Sequence, residues 1–112
     1  MGERIKEVAF ADERLREAYF KLKEGKFEEK QLCDNIDKAI YALKQNPLNG
    51  IRVPNRLIPK DYIQKYQVNN LWKYNLPNSW RLLYTIVGDE VKIVSMILEW
   101  LSHPEYEKRF GY

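Results

Sequence analysis

A chain of 112 residues, 45% hydrophobic and 31% charged with five Gly and five Pro, is one ordinary domain able to bury a core, which excludes a disordered or low-complexity chain. Its single cysteine, Cys33, excludes an internal disulfide, and its longest apolar run, Ile93 to Leu98, is broken by Ser95 and far shorter than the ~20 residues of a membrane helix. The net charge of +3 is uneven: residues 1–46 are balanced, whereas within 47–81 Arg52, Arg56, Lys60, Lys65, Lys73 and Arg81 oppose only Asp61. Phosphate binding would leave such a footprint, and so would an ordinary solvated surface.

The opening MGERIKEVAF carries early charges and lacks the apolar core of a secretory signal, so a soluble, cytoplasmic protein is expected. Residues 4–10 alternate weakly. Asp12 then stands where an N-cap would, and Leu15, Ala18, Tyr19 and Leu22 recur at helical spacing up to Gly25. A second amphipathic helix is predicted from about Glu28, with Leu32, Cys33, Ile36, Ala39, Ile40 and Leu43 on one face and the Asn46-Pro47 pair as its stop. From Pro47 to Asn70 the prolines and Gly50 predict a long connection with at most a helical turn over 60–66.

Three antiparallel strands are expected next. Trp72, Tyr74 and Leu76 alternate with polar residues, Leu76-Pro77-Asn78-Ser79 turns into 80–87, and a Gly88-Asp89 link leads into 90–98. The last two are apolar on both faces and so belong mid-sheet, covered on each side. Ser102-His103-Pro104-Glu105 has capping-box spacing, which predicts a short C-terminal helix. The fold class is α+β in a single domain, 1–112.

One His and one Cys give no zinc-finger spacing, HExxH or Cys–His pair, and neither a P-loop nor a GxGxxG is present, so no metal and no cofactor are expected. What remains is a set of cations, phenols and one imidazole. Metal-free RNA cleavage by attack of a 2′-hydroxyl needs a base, a leaving-group acid and a cation facing the phosphorane, and these side chains can supply all three. Arg81, early in an otherwise apolar strand, has the fork geometry for phosphate oxygens; it is equally placed to pair with Glu99 or Glu105. His103 suits proton transfer near neutrality or simply caps a helix. Tyr106 can donate a proton or pack, Lys73 can reach a phosphate or only solvent, and Trp72, Trp80 and Trp100 are core residues first and stacking platforms second.

The run Asn70-Leu71-Trp72-Lys73-Tyr74-Asn75-Leu76-Pro77-Asn78-Ser79-Trp80-Arg81-Leu82-Leu83-Tyr84 resembles the core block of RelE-like toxins, and Trp100-Leu101-Ser102-His103-Pro104-Glu105-Tyr106 resembles their C-terminal segment. The resemblance implies a β-α-α-β-β-β domain, two helices packed on a small antiparallel sheet with a short C-terminal helix. It also implies a type II toxin that enters the ribosome, cleaves mRNA and is neutralised by a cognate antitoxin protein. It would make Arg81, His103 and Tyr106 catalytic, with Lys73, matched after a one-residue gap, and Arg52, Arg56, Lys60 and Lys65 holding RNA. Asn75 departs from a family lysine, and Trp100 and Leu101 stand where an additional arginine is expected. A ParE-type topoisomerase poison and a catalytically inert protein-binding module of the same fold are the alternatives.

Overall fold

Asp12, two residues beyond the end of the first strand, starts the first helix. Its carboxylate accepts from the Leu15 N–H at 2.8 Å, and this backbone hydrogen bond holds the carboxyl below its ordinary range. The computed structural model describes residues 4–111. β1 spans Ile5–Phe10, α1 Glu13–Lys23 and α2 Phe27–Gln45. β2 follows over Ile51–Val53 and α3 over Lys60–Tyr66. The rest is β3 (Leu71–Asn75), β4 (Arg81–Gly88), β5 (Lys92–Leu101) and α4 (His103–Phe110). Among the described residues no helix is long and apolar enough to cross a membrane.

The α+β class, both long helices and the capped C-terminal helix agree with the sequence reading. The sheet differs from the expected small antiparallel one. It has five strands in the order β1-β5-β4-β3-β2, and β1 runs parallel to β5 while every other pair is antiparallel. A parallel pair needs a long crossover instead of a hairpin, so nothing local in the sequence marks it. The 47–70 connection is also more structured than expected. Asn46 caps a 3-10 turn over Pro47–Asn49, and β2 then adds to the sheet edge against β3.

Period-two alternation divides the strands between two cores. On one side Leu82, Tyr84 and Ile97 pack against Ile36, Ala39 and Leu43 of α2, with Tyr19 of α1 nearby. On the other, Leu71, Leu83, Leu98 and Leu101 pack against Tyr62 of α3 and Tyr106 of α4. β4 and β5 are therefore buried on both faces, as their continuous apolar character requires.

Two turns fix the register around the later strands. The buried Tyr84 hydroxyl donates to the Pro47 carbonyl at 2.6 Å and accepts from the Gly50 N–H at 3.1 Å, tying the 47–50 turn to the central strand. Burial pushes this phenol up to about 12. A Cβ at Gly50 would lie 2.4 Å from the Tyr84 oxygen and 2.8 Å from the Lys73 carbonyl, so only glycine lets the chains approach this closely. Between β3 and β4, Pro77–Ser79 forms a 3-10 turn closed by the Leu76 N–H to Trp80 carbonyl bond at 2.9 Å, with Asn78 and Ser79 at φ of 62° and 63°.

Candidate functional site

β3 and β4 pair with Lys73 opposite Leu83 and Asn75 opposite Arg81, and β4 pairs with β5 with Arg81 opposite Leu101. Residues paired across strands share a face, so Lys73, Asn75 and Arg81 emerge on the side carrying Leu83, Leu101 and α4. Tyr106 projects from α4 onto this face. Lys73 Nζ donates to the Tyr106 phenol oxygen at 3.1 Å and lies 5.2 Å from its ring centroid, while Arg81 Cζ lies 5.4 Å from the same centroid. Tyr106 is only 4% exposed and stacks on Phe110 at 4.5 Å, so the ring is a fixed platform. Ser102 holds that platform through the expected capping box: its hydroxyl and the Glu105 carboxylate bond each other and each other's backbone N–H.

Neither cation of this cluster is neutralised by a carboxylate among the described residues. The two acids that could have paired with Arg81 are engaged elsewhere: Glu99 bonds Arg109 at 3.2 Å, and Glu105 caps α4. Among the described residues Arg81 hydrogen-bonds only the carbonyl of Trp80, with one terminal nitrogen at 3.3 Å, and its buried Nε has no hydrogen-bond partner. Two like charges on one aromatic platform repel each other, and an incoming anion relieves that repulsion. The part-buried setting strengthens the attraction beyond that of solvated lysines.

The other expected residues lie apart. His103 turns along α4 to pair with Glu107 one turn on, and its side chain is about half exposed. Arg52 pairs across from Trp72, its guanidinium 5.9 Å from that ring, which puts it on the opposite face of the sheet from Lys73. Lys65 faces Asp12 at 3.9 Å. Arg56 and Lys60 are exposed on the 3-10 turn at 55–57 and at the start of α3, without a hydrogen bond, ion pair or ring contact to the cluster. The basic stretch 47–81 is thus not one patch, because strand alternation and the α3 turn scatter it.

No family model, curated protein or solved structure matches this chain. Among the described residues no group of three or more His, Cys, Asp and Glu is placed to hold a metal ion.

Two features escaped the sequence. Arg109 bonds Glu99 and, at 3.5 Å, Asp61, and lies over the Tyr62 ring, which clamps α4 to α3 and β5. Only the i, i+3 spacing from Tyr106 hinted at an inward Arg109. Trp100, expected where an arginine would serve the site, instead pairs across from Leu82 and packs on the α1/α2 side. The residue on the cation face is Leu101.

Proposed function

We propose that this chain is a RelE-like toxin, the toxin component of a type II toxin-antitoxin pair, acting as a metal-independent, ribosome-associated endoribonuclease on mRNA in the cytoplasm. The observation that carries this reading is the convergence of Lys73, Arg81 and Tyr106, from three elements, into a cation pair without a carboxylate. Those are residues that the resemblance to RelE-like toxins picks out independently.

In this reading Arg81 offsets the charge that develops on the phosphorane, the largest single contribution such a site makes. Lys73 binds the adjoining phosphate, oriented by the hydrogen bond that it donates to the Tyr106 phenol oxygen. Tyr106 acts mainly by holding both cations, since so little of it is exposed. His103, paired with Glu107, stands outside the catalytic group unless its side chain rotates on substrate binding. The thinner basic set, with Asn75 directly across from Arg81 in place of a family lysine, supports a slow enzyme.

The test is expression in bacterial cells with growth curves and mapping of mRNA 5′ ends. Codon-phased cuts that disappear in Arg81→Ala support the reading. Growth arrest without cuts points to topoisomerase poisoning, and equal harmlessness of wild type and Arg81→Ala overturns the nuclease.

A further inference from the structure

On the opposite face of the sheet, β4 and β5 end in a second arrangement that the RNA reading does not use. A cleft of about 420 Å³ opens between α2 and this end of the sheet. The indoles of Trp80 and Trp100 line it together with Leu32, and Glu28 and Glu29 from the first turn of α2 add two carboxylates. Among the described residues no cationic side chain lines it, although the chain as a whole carries +3. Asn35 also lines it. That residue is 9% exposed and its side chain makes no hydrogen bond to the described residues, so what remains accessible of the amide at the cleft is open to a ligand. An amide in that position can bond water in the free protein and exchange it for a polar ligand group.

The lining specifies the ligand's chemistry. Two indole faces attract a cation, most strongly a planar one that can stack. Carboxylates at the mouth repel phosphates and so disfavour a nucleotide. Glu29 is partly committed, accepting from the Lys26 N–H at 3.4 Å as part of the helix cap, whereas Glu28 makes no hydrogen bond or ion pair to the described residues. The Asn35 amide oxygen can accept an N–H from a group lying against either ring. We propose that this cleft binds the guanidinium of an arginine side chain presented by a partner protein, stacked on Trp80 and Trp100, with Glu28 and Asn35 as its hydrogen-bond acceptors. The site faces away from Arg81 and stands or falls separately from the RNA reading.

The experiment is an NMR titration of the full chain, following the three indole N–H resonances, with a blocked Gly-Arg-Gly tripeptide as probe. A single side chain should bind with a dissociation constant on the order of millimolar, shifting the Trp80 and Trp100 signals saturably and leaving Trp72 in place. Glu28→Gln, on an exposed helix position, should weaken binding roughly three- to tenfold without disturbing the fold. Asn35→Ala should weaken it as well, with an unchanged spectrum elsewhere showing that the core is intact. Each of the following overturns the proposal: no indole shift at tens of millimolar, an equal response to blocked Gly-Lys-Gly, a stronger response to AMP, or binding of free agmatine when the tripeptide does not bind.

Discussion

On the α1/α2 side of the sheet, Leu82, Tyr84 and Ile97 are fully buried against α2, and the Tyr84 hydroxyl has both a donor and an acceptor. On the α3/α4 side, Leu71, Leu83 and Leu98 are as deeply buried, yet Lys73 and Arg81 sit beside them with no counter-charge among the described residues. The first arrangement only stabilises. The second carries an electrostatic cost that packing alone does not require, and such a cost within one small domain marks where binding is to be sought.

The largest effect separates the two faces by stability. Leu82→Ala should cost about 2–5 kcal/mol in urea unfolding, the range for a fully buried leucine that leaves a cavity. Arg81→Ala should stay within ~1 kcal/mol, because it removes no ion pair. Equal losses would erase the contrast. The same Arg81→Ala protein should lose roughly 10²–10³-fold in RNA cleavage rate, the usual result of removing one transition-state donor. A rate unchanged with purified protein on mRNA-programmed ribosomes would remove Arg81 from the chemistry.

Tyr84→Phe should cost ~1–3 kcal/mol by leaving the Pro47 carbonyl and Gly50 N–H unbonded. It should also flatten the alkaline limb of stability against pH. Because the folded phenol titrates at about 12, above its ordinary 10.0, its contribution is complete below pH ~10 and is lost as pH rises toward 12. Other buried tyrosines, Tyr19 and Tyr62, are raised chiefly by burial too, so the variant should blunt that limb without abolishing it. Ser102→Ala, which removes the cap beneath Tyr106, should cost ~1 kcal/mol by thermal unfolding. Glu105 is held below its ordinary range, first by the Ser102 N–H, so its share of the cap is present at neutral pH and lost as pH falls through the depressed value. Smallest is Lys73→Gln, which should reduce the salt slope of RNA binding by about one on a log–log plot. An unaltered slope would place Lys73 away from phosphate.

Much of the architecture was legible in local chemistry. Asp12, the Asn46-Pro47 pair and the Ser102–Glu105 box mark helix ends by side-chain groups that bond their own neighbours, so sequence alone reveals them. The parallel β1–β5 pair and the three-residue β2 were not, since their partners lie far along the chain. The site divides in the same way. Alternation along β3 and β4 places Lys73 and Arg81 on one face, but their meeting over Tyr106 depends on how α4 packs. Counting charges by segment failed for Arg52 and Lys65, because strand alternation sends Arg52 to the opposite face and helical geometry turns Lys65 toward Asp12.

Trp80 and Arg81 are adjacent in sequence and serve opposite faces of the sheet, so the turn before them sets a parity. One residue more or fewer between Leu76 and Trp80 would exchange indole and guanidinium, carrying a stacking surface to the cation face and a charge into the apolar core. The left-handed backbone at Asn78 and Ser79, uncommon outside glycine, is what closes this turn at its present length. Chains of this design should therefore hold the number of residues 77–79 nearly fixed and admit at 78 and 79 chiefly Gly, Asn, Asp and other small residues that tolerate positive φ.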